Sequence, residues 1–245
     1  PWVLCQNDND HTTFNAKLLE ALSTIVSSSY PPDDRRHAAS LAFLYLYMHL
    51  AQAQGLGQLF ELRSALPISA GLGSSAAVST CLATLLLYSH EHLPLPDLHE
   101  PMPPAHTALI NAWAYMAEKV IHGEPSGVDN TVATLGGAVA FTRALPTNDL
   151  SENRLERIGF DAVRLLITDT RVVRSTKELV ARVSQQKQQD PTRVNAAFTM
   201  IQHLSTEAKR LLCDSSLSRE DLISGLSLLM DLNHLQLVQL QVGHA

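Results

Sequence analysis

The sequence has 245 residues, of which 45% are apolar and 17% are charged, and this composition argues against a chain that is disordered over most of its length. The 18 Lys and Arg residues against 24 Asp and Glu give a formal net charge of −6, which argues against a basic nucleic-acid platform or a polybasic lipid-binding segment. The length allows one or two globular domains.

Hydrophobic periodicity predicts a first part that mixes strands with helices and a later part that is mostly helical. Two Pro-rich segments, 31–34 and 94–104, are typical of surface loops. The predicted helices cover 15–28, 35–54, 75–88, 107–121, 175–188, 194–212 and 219–240, and the predicted strands cover 59–64, 138–142 and 163–169. This order predicts an α+β protein of two lobes, 1–150 and 151–245.

A run of small residues, Pro67–Ala77, precedes a predicted apolar helix. Its glycines, Gly71 and Gly73, permit positive φ and let the backbone approach a ligand closely. The first N–H groups of the following helix have no intrahelical partner and carry the positive end of the helix dipole, which suits phosphate. The hydroxyls of Ser74 and Ser75 can bind a phosphate or a magnesium ion.

This glycine run differs from two other phosphate-binding loops. It lacks the Gly-Lys-Ser/Thr ending of a Walker loop, and it does not fit the Gly-x-Gly-x-x-Gly dinucleotide pattern. The alternative is a strand-to-helix turn that serines cap. The tight glycine and serine run before a long apolar helix favours the phosphate site.

Two acidic residues, Glu118 and Asp129, flank a short loop that contains Gly123, Pro125 and Gly127. Such a loop can fold the chain back and bring the two carboxylates together. One carboxylate can then hold Mg²⁺ while the other takes the proton of an attacking hydroxyl. The alternative is a solvated Glu and an Asp that caps the next helix, and the residues alone favour neither.

Three segments carry a family resemblance. Residues 70–77, Ala-Gly-Leu-Gly-Ser-Ser-Ala-Ala, resemble the phosphate loop of the GHMP kinases, the family of galactokinase and the homoserine, mevalonate and phosphomevalonate kinases. Residues 117–130 and 166–176 resemble the mevalonate kinase branch of this family. The resemblance runs from about residue 31 to residue 245. It implies the GHMP kinase fold and transfer of the ATP γ-phosphoryl group to the 5-hydroxyl of mevalonate.

The resemblance also implies roles for individual residues. Ser75 and Glu118 would hold Mg²⁺, and Asp129 would be the catalytic aspartate. Ser126 would line the site beside it, and Arg174 and Thr176 would lie on the substrate side. The residues that would hold the ATP phosphates are Ala70, Gly71, Leu72, Gly73, Ser74 and Ser75. Without the resemblance, a surface charge is the favoured interpretation of Arg174.

The expected setting is a cytoplasmic homodimer without a nucleic-acid or membrane partner. The homodimer and the cytoplasmic place in isoprenoid and sterol synthesis are implied by the resemblance. The three scattered cysteines suit a reducing compartment. The longest apolar stretch, 76–88, is shorter than the roughly 20 residues that a membrane span requires.

Two motifs of the resemblance have no counterpart in the sequence. One is an initial strand with a lysine and a histidine near the active site, and the other is a late glycine-rich loop that would follow residue 245. We therefore expect an incomplete copy of the fold, without its first strands and its final glycine-rich region. The alternative function is an inactive remnant that binds nucleotide or a full-length partner. Retention of Ser75, Glu118 and Asp129 favours catalysis.

Overall fold

The computed structural model describes residues 14–51, 58–66, 71–97, 99–142, 144, 154–160, 163–164, 166–168 and 176–243. Within these ranges there are eight helices and two strands. In chain order they are α1 (Ala16–Ser27), α2 (Arg35–Leu50), α3 (Ser74–Ser89), α4 (Pro104–His122), α5 (Val128–Leu135), β1 (Ala138–Thr142), β2 (Arg154–Ile158), α6 (Thr176–Gln189), α7 (Pro191–Cys213) and α8 (Arg219–Gln239).

The chain divides into two compact units, residues 1–136 and 137–245. The first contains α1 to α5, and the second contains β1, β2 and α6 to α8. Helices and a sheet together confirm the predicted α+β class. The predicted lobe boundary after residue 150 lies in a stretch, 145–153, outside the described residues, and it stays a prediction.

The core of the first unit lies among α1, α2, α3 and α4. Helix α2 is apolar on nearly every side, and such a helix is expected in the interior of a helical layer. Its Tyr45 and Leu46 are at most 1% exposed. Leu86 of α3 and Ile110 and Trp113 of α4 are at most 3% exposed, and they belong to the same hydrophobic cluster.

We expect Leu46→Ala to lower the free energy of unfolding of the first unit by about 2–5 kcal/mol, because the removed atoms leave a cavity that the packed helices fill only in part. Leu46 is 0% exposed, whereas Leu85 on the neighbouring α3 is 46% exposed. Urea denaturation of Leu46→Ala beside Leu85→Ala measures the difference. Equal losses from the two variants would contradict the described core.

The buried faces of α3 and α4 each carry one functional polar residue. In α3 the buried positions are 76, 79, 82, 83, 86 and 87, which follow the 3.6-residue helical period. In α4 Glu118 follows Trp113, Ala114, Met116 and Ala117 on the buried side. The two helices pack against each other, and Ser79 and Glu118 therefore meet inside the interface.

The second unit has a two-stranded antiparallel sheet and three helices packed in sequence order. The register pairs Ala138 with Ile158 and Thr142 with Arg154. Lys209 of α7 donates to Glu156 Oε2 at 2.8 Å and joins α7 to β2. Among the described helices of the chain, none combines the length and apolarity that crossing a bilayer requires.

Two strand predictions differ from the structure. The predicted strand 59–64 is described and is not a strand, although its sequence alternates apolar and polar residues. A strand needs a neighbour to share its backbone hydrogen bonds, and no such ladder forms with it in the described part of the chain. Leu59 is 97% exposed, and Phe60 instead packs on Phe43 with ring centroids 5.0 Å apart.

The predicted strand 163–169 is also wrong at its described positions, 163–164 and 166–168. Leu166 is 94% exposed there, so the apolar run does not reach a core. The partner of β1 is instead the charged segment 154–158. Its pattern of Arg, Leu and Glu gave no clear strand signal because both of its faces remain largely accessible.

Candidate functional site

No side chain caps the N-terminus of α3, where a glycine, Gly73, precedes the helix. Gly73, the residue before the helix, has φ +64°, and Gly71 has φ +73°, a region that L side chains rarely adopt. The N–H of Ala77 donates to the carbonyl of Gly73. The N–H groups of residues 74–76 therefore have no intrahelical acceptor, and they present a partial positive charge that suits a phosphate.

We expect Gly73→Ala to weaken nucleotide binding and to lower the free energy of unfolding by about 1–2 kcal/mol, because an L residue is strained at this positive φ. An added Cβ would lie 3.9 Å from Asp129 Cβ, an ordinary contact, so the cost comes from backbone conformation rather than collision. Gly159→Ala is the control, since its φ is not positive and its Cβ would meet open space. Chemical denaturation and ATP titration compare the two variants, and equal behaviour would contradict the prediction.

Glu118 is a nearly buried carboxylate, 3% exposed, at the centre of a hydrogen-bond cluster. Ser79 Oγ donates to its Oε1 at 3.0 Å, and Ser75 Oγ donates to its Oε2 at 3.3 Å. His122 Nε2 lies 3.2 Å from Ser75 Oγ and 3.7 Å from Glu118 Oε2. While the Ser75 hydroxyl donates to Glu118, its oxygen can accept a hydrogen bond from the His122 ring.

The pKa of Glu118 is raised above its ordinary value. Loss of solvent around the buried carboxylate is the main cause, and the negative charge of Asp129 adds to it. His122 and the hydroxyls of Ser79 and Ser75 act in the opposite direction.

The first turn of α5 places Asp129 beside the glycine run of α3. Gly127 precedes the helix with φ +84°, and a Cβ added there would meet the ring of Tyr115 at 3.7 Å. Asp129 then lies where the positive end of α5 favours a carboxylate. Its Cβ is 3.9 Å from the point that a Cβ on Gly73 would occupy. Two helix N-termini thus meet at Asp129.

Amide and hydroxyl groups hold α5 against α4. Asn130, 2% exposed, donates through Nδ2 to Asn111 Oδ1 at 2.7 Å. Asn111 Nδ2 donates to Thr131 Oγ1 at 3.2 Å, and Thr131 Oγ1 donates to the carbonyl of Gly127 at 2.6 Å. Because the residues on both sides of Asp129 are tied down, its backbone has little freedom to move.

The donors at the start of α3 fit a magnesium ion. Mg²⁺ prefers oxygen ligands and commonly takes one or two protein groups, with phosphates and waters in its other positions. The Glu118 carboxylate and the Ser75 hydroxyl supply such oxygens 3.3 Å apart, at the N-terminus of α3. Among the described residues, no three His, Cys, Asp or Glu side chains form a self-sufficient metal cage. A site that a nucleotide completes agrees with both observations.

The structure brings together most of the predicted site residues in the first unit. Gly71, Leu72, Gly73, Ser74 and Ser75 form the turn and first residues of α3, close to Glu118 and Asp129. Ser126 Oγ accepts from the N–H of Val128 at 3.3 Å, in the turn before α5. Their roles in binding and catalysis stay predictions.

Three of the predicted site residues lie wholly or partly outside the part of the chain that the structure describes. Ala70 and Arg174 lie outside the described residues. Thr176 begins α6, and only its backbone is described.

Sequence reasoning missed two residues of the cluster. These residues are Ser79 and His122. The signal for Ser79 was available, because it follows Ser75 by one helical turn on a face that is otherwise apolar. His122 likewise follows Glu118 by four residues on α4. Neither spacing matches a familiar catalytic motif.

Comparison with known proteins gives a consistent result. The family model described as "GHMP kinases N terminal domain" matches residues 39–138. The chain is 42% identical over 229 residues to a mevalonate kinase of Gibberella zeae, which covers 90% of this chain and 44% of that protein. It is 39% identical over 220 residues to the mevalonate kinase of Candida albicans, which covers 86% of this chain and 50% of that protein.

A mammalian mevalonate kinase and a solved structure are also similar to this chain. The mevalonate kinase of Bos taurus is 37% identical over 245 residues, which covers 96% of this chain and 59% of that protein. The crystal structure of L. major mevalonate kinase in complex with R-mevalonate matches with a TM-score of 0.51 at 22% identity, over 69% of this chain and 46% of that chain. The chain spans about half the length of the curated relatives it matches. Residues 39–138, which contain the glycine turn and the buried Ser75–Glu118 pair, belong to the GHMP kinase N-terminal domain family.

Proposed function

We propose that the chain carries the catalytic core of a mevalonate kinase, which transfers the ATP γ-phosphoryl group to the 5-hydroxyl of mevalonate in isoprenoid and sterol biosynthesis. The observation that carries the proposal is the gathering of Ser75, Glu118 and Asp129 at the uncapped start of α3. The names of the relatives support the choice of mevalonate as acceptor. The product of the reaction is 5-phosphomevalonate.

The backbone provides the phosphate site in this proposal. The turn 71–73 leaves room for the ATP phosphates, and the N–H groups of residues 74–76 donate to their oxygens. Gly73 keeps the approach open because it carries no side chain where the phosphates lie. These donors are fixed before ATP binds, so little reorganisation opposes transfer.

Ser75 and Glu118 hold Mg²⁺ in this proposal. The bound ion neutralises charge on the phosphates during transfer. Burial in the α3–α4 interface fixes the Glu118 carboxylate in a position that suits metal binding. Its Oε2 already accepts a hydrogen bond from Ser75 Oγ. The proximity of His122 gives the Ser75 hydroxyl a donor and leaves its hydrogen directed at Glu118.

Asp129 orients the acceptor hydroxyl and takes its proton in this proposal. Kinases use an aspartate in this role, and its efficiency depends on contact with the attacking oxygen. Asp129 lies where two helix N-termini meet, beside the phosphate-binding turn of this proposal.

The acceptor side of the site completes the proposal. Ser126, in the turn before Asp129, contacts the substrate, and Arg174 and Thr176 are further substrate-binding residues of this proposal. An arginine suits the carboxylate of mevalonate because its guanidinium makes paired charge-assisted hydrogen bonds. A cytoplasmic homodimer belongs to the same proposal and is supported by family resemblance.

ADP release from the purified 245-residue chain tests the proposal. The chain is incubated with ATP, Mg²⁺ and, in separate reactions, mevalonate, 5-phosphomevalonate, homoserine or galactose. We expect ADP release that depends on mevalonate. ADP release that depends only on one of the other acceptors would overturn the assignment of mevalonate as substrate. It would still support phosphoryl transfer of the GHMP kinase type. Thermal stabilisation by ATP without turnover would instead support the inactive remnant.

A further inference from the structure

Ser79 is a wholly buried hydroxyl on the face of α3 that meets α4. Its exposed fraction is 0%, and it lies four residues after Ser75. Four residues correspond to about one turn and about 6 Å along a helix, so both hydroxyls are on the same side of α3. The apolar neighbours on this face are Ala76, Leu82, Ala83, Leu86 and Leu87. A polar group here requires a partner to offset its loss of water.

The Ser79 hydroxyl bonds across the helix interface rather than within α3. Serine and threonine hydroxyls inside helices commonly bond to the carbonyl one turn earlier. Thr84 of the same helix does so, and its Oγ1 donates to the carbonyl of Thr80 at 2.7 Å. Ser79 instead donates across the interface to Glu118 Oε1 at 3.0 Å. Its hydrogen bond therefore connects two helices rather than bonding within one.

The two oxygens of Glu118 are consequently engaged by different hydroxyls. Ser79, at the buried end, holds Oε1, while Ser75, near the helix start, contacts Oε2. With Oε1 fixed, the carboxylate cannot swing deeper into the interface or turn away from Ser75. Oε2 then remains the oxygen nearest to the phosphate-binding end of α3.

We propose that Ser79 is a positioning residue, which holds Glu118 so that Oε2 and the Ser75 hydroxyl together face the divalent metal of the bound nucleotide. The inference rests on the proposed metal site of Ser75 and Glu118. It adds a residue that touches neither metal nor substrate and acts through Glu118 alone. Outer groups of this kind commonly change metal affinity by 10- to 100-fold.

Direct metal binding tests the inference without a need for turnover. Mn²⁺ is titrated into the purified chain with the non-hydrolysable analogue AMP-PNP, and free Mn²⁺ is measured by electron paramagnetic resonance. We expect Ser79→Ala to weaken Mn²⁺ binding by about tenfold. Binding of AMP-PNP in EDTA should stay at the wild-type value. Thr84→Val, which removes a hydroxyl that bonds only within α3, should change neither.

The comparison with Glu118→Gln separates failure of the inference from failure of the metal site. If Glu118→Gln binds Mn²⁺ as tightly as wild type, the proposed metal site is wrong. If Glu118→Gln weakens binding but Ser79→Ala does not, the positioning role of Ser79 is overturned while the metal site stands. Ser79→Ala could also weaken AMP-PNP binding equally with and without Mn²⁺. That result would reveal general damage to the fold and would overturn the positioning role of Ser79.

A second variant covers the case in which Ser79→Ala does not fold, as judged by its circular dichroism melting curve. Ser79→Cys keeps nearly the same volume and replaces the hydroxyl with a much weaker donor. We expect Mn²⁺ binding between that of wild type and that of Glu118→Gln. Wild-type affinity from a folded Ser79→Cys chain would contradict the inference.

Discussion

Asp129→Asn should lower kcat for phosphoryl transfer to mevalonate by about 10²- to 10⁴-fold, while the KM for ATP changes little. Asparagine has almost the same size, so the contact with the Gly73 turn is preserved. Its neutral amide cannot take a proton from the acceptor hydroxyl, and the loss therefore falls on the chemical step. Initial rates of ADP release at saturating ATP and mevalonate measure it.

The matched control is Asp97→Asn, the same substitution at an exposed aspartate of the same unit. We expect its kcat to equal that of the wild-type chain. Retention of more than about a tenth of wild-type turnover by Asp129→Asn would show that another group takes the proton, since positioned general bases typically contribute at least a hundredfold.

Glu118→Gln should move activity and stability in opposite directions. Removal of one metal-binding carboxylate is expected to lower kcat by about 10²- to 10³-fold, as loss of a single charge-stabilising group does in other enzymes. The same change should raise the melting temperature at pH 7, because the raised pKa of Glu118 means that its ionised form is destabilised in the folded chain. In the glutamine variant one of the two serine hydroxyls can still donate to the amide oxygen, and the other can accept from the amide NH2 group.

The pH dependence of this stability difference follows from linkage. A carboxyl group with a raised pKa contributes stability below its unfolded value, 4.5, and loses that contribution as pH rises through its folded pKa. The melting temperature of Glu118→Gln should thus match wild type in acid and exceed it increasingly as pH rises from about 4.5. The difference should become constant above the folded pKa.

Glu20→Gln, at an exposed position of α1, provides the comparison and should show no such pH-dependent difference. A Glu118→Gln chain that melts below wild type at neutral pH would contradict the prediction. That result would mean that the hydrogen bonds from Ser79 and Ser75 outweigh the loss of solvent around the carboxylate.

The sequence predicted four of the five helices of the first unit well because their signals are local, but it missed the short α5. Helix α3 was expected over 75–88 and extends over Ser74–Ser89, and β1 begins and ends at the predicted residues. The glycine turn before α3 was also predictable, since two glycines followed by serines and an apolar helix leave few local alternatives. Family resemblance supplied the roles of Glu118 and Asp129, which spacing alone left open.

Other features depend on contacts that no local pattern reports. Residues 59–64 alternate like a strand, yet strand formation requires a partner, and packing of Phe60 on Phe43 is what anchors the segment. The direction of the Ser79 hydroxyl depends on which side chain lies opposite on α4. The register of β2 against β1 is equally non-local, because charged residues on an accessible strand carry little pattern.

The location of Glu118 on the packed side of α4 has a consequence for which substitutions would inactivate this protein. The carboxylate shares that side with Trp113 and Ala117, so its position depends on how closely two helices pack. A small change in the interior can thus displace the carboxylate without unfolding the chain. In a saturation-mutagenesis screen, inactivating substitutions would form stripes along α3 and α4, with a period of three to four residues, rather than a ring around one opening.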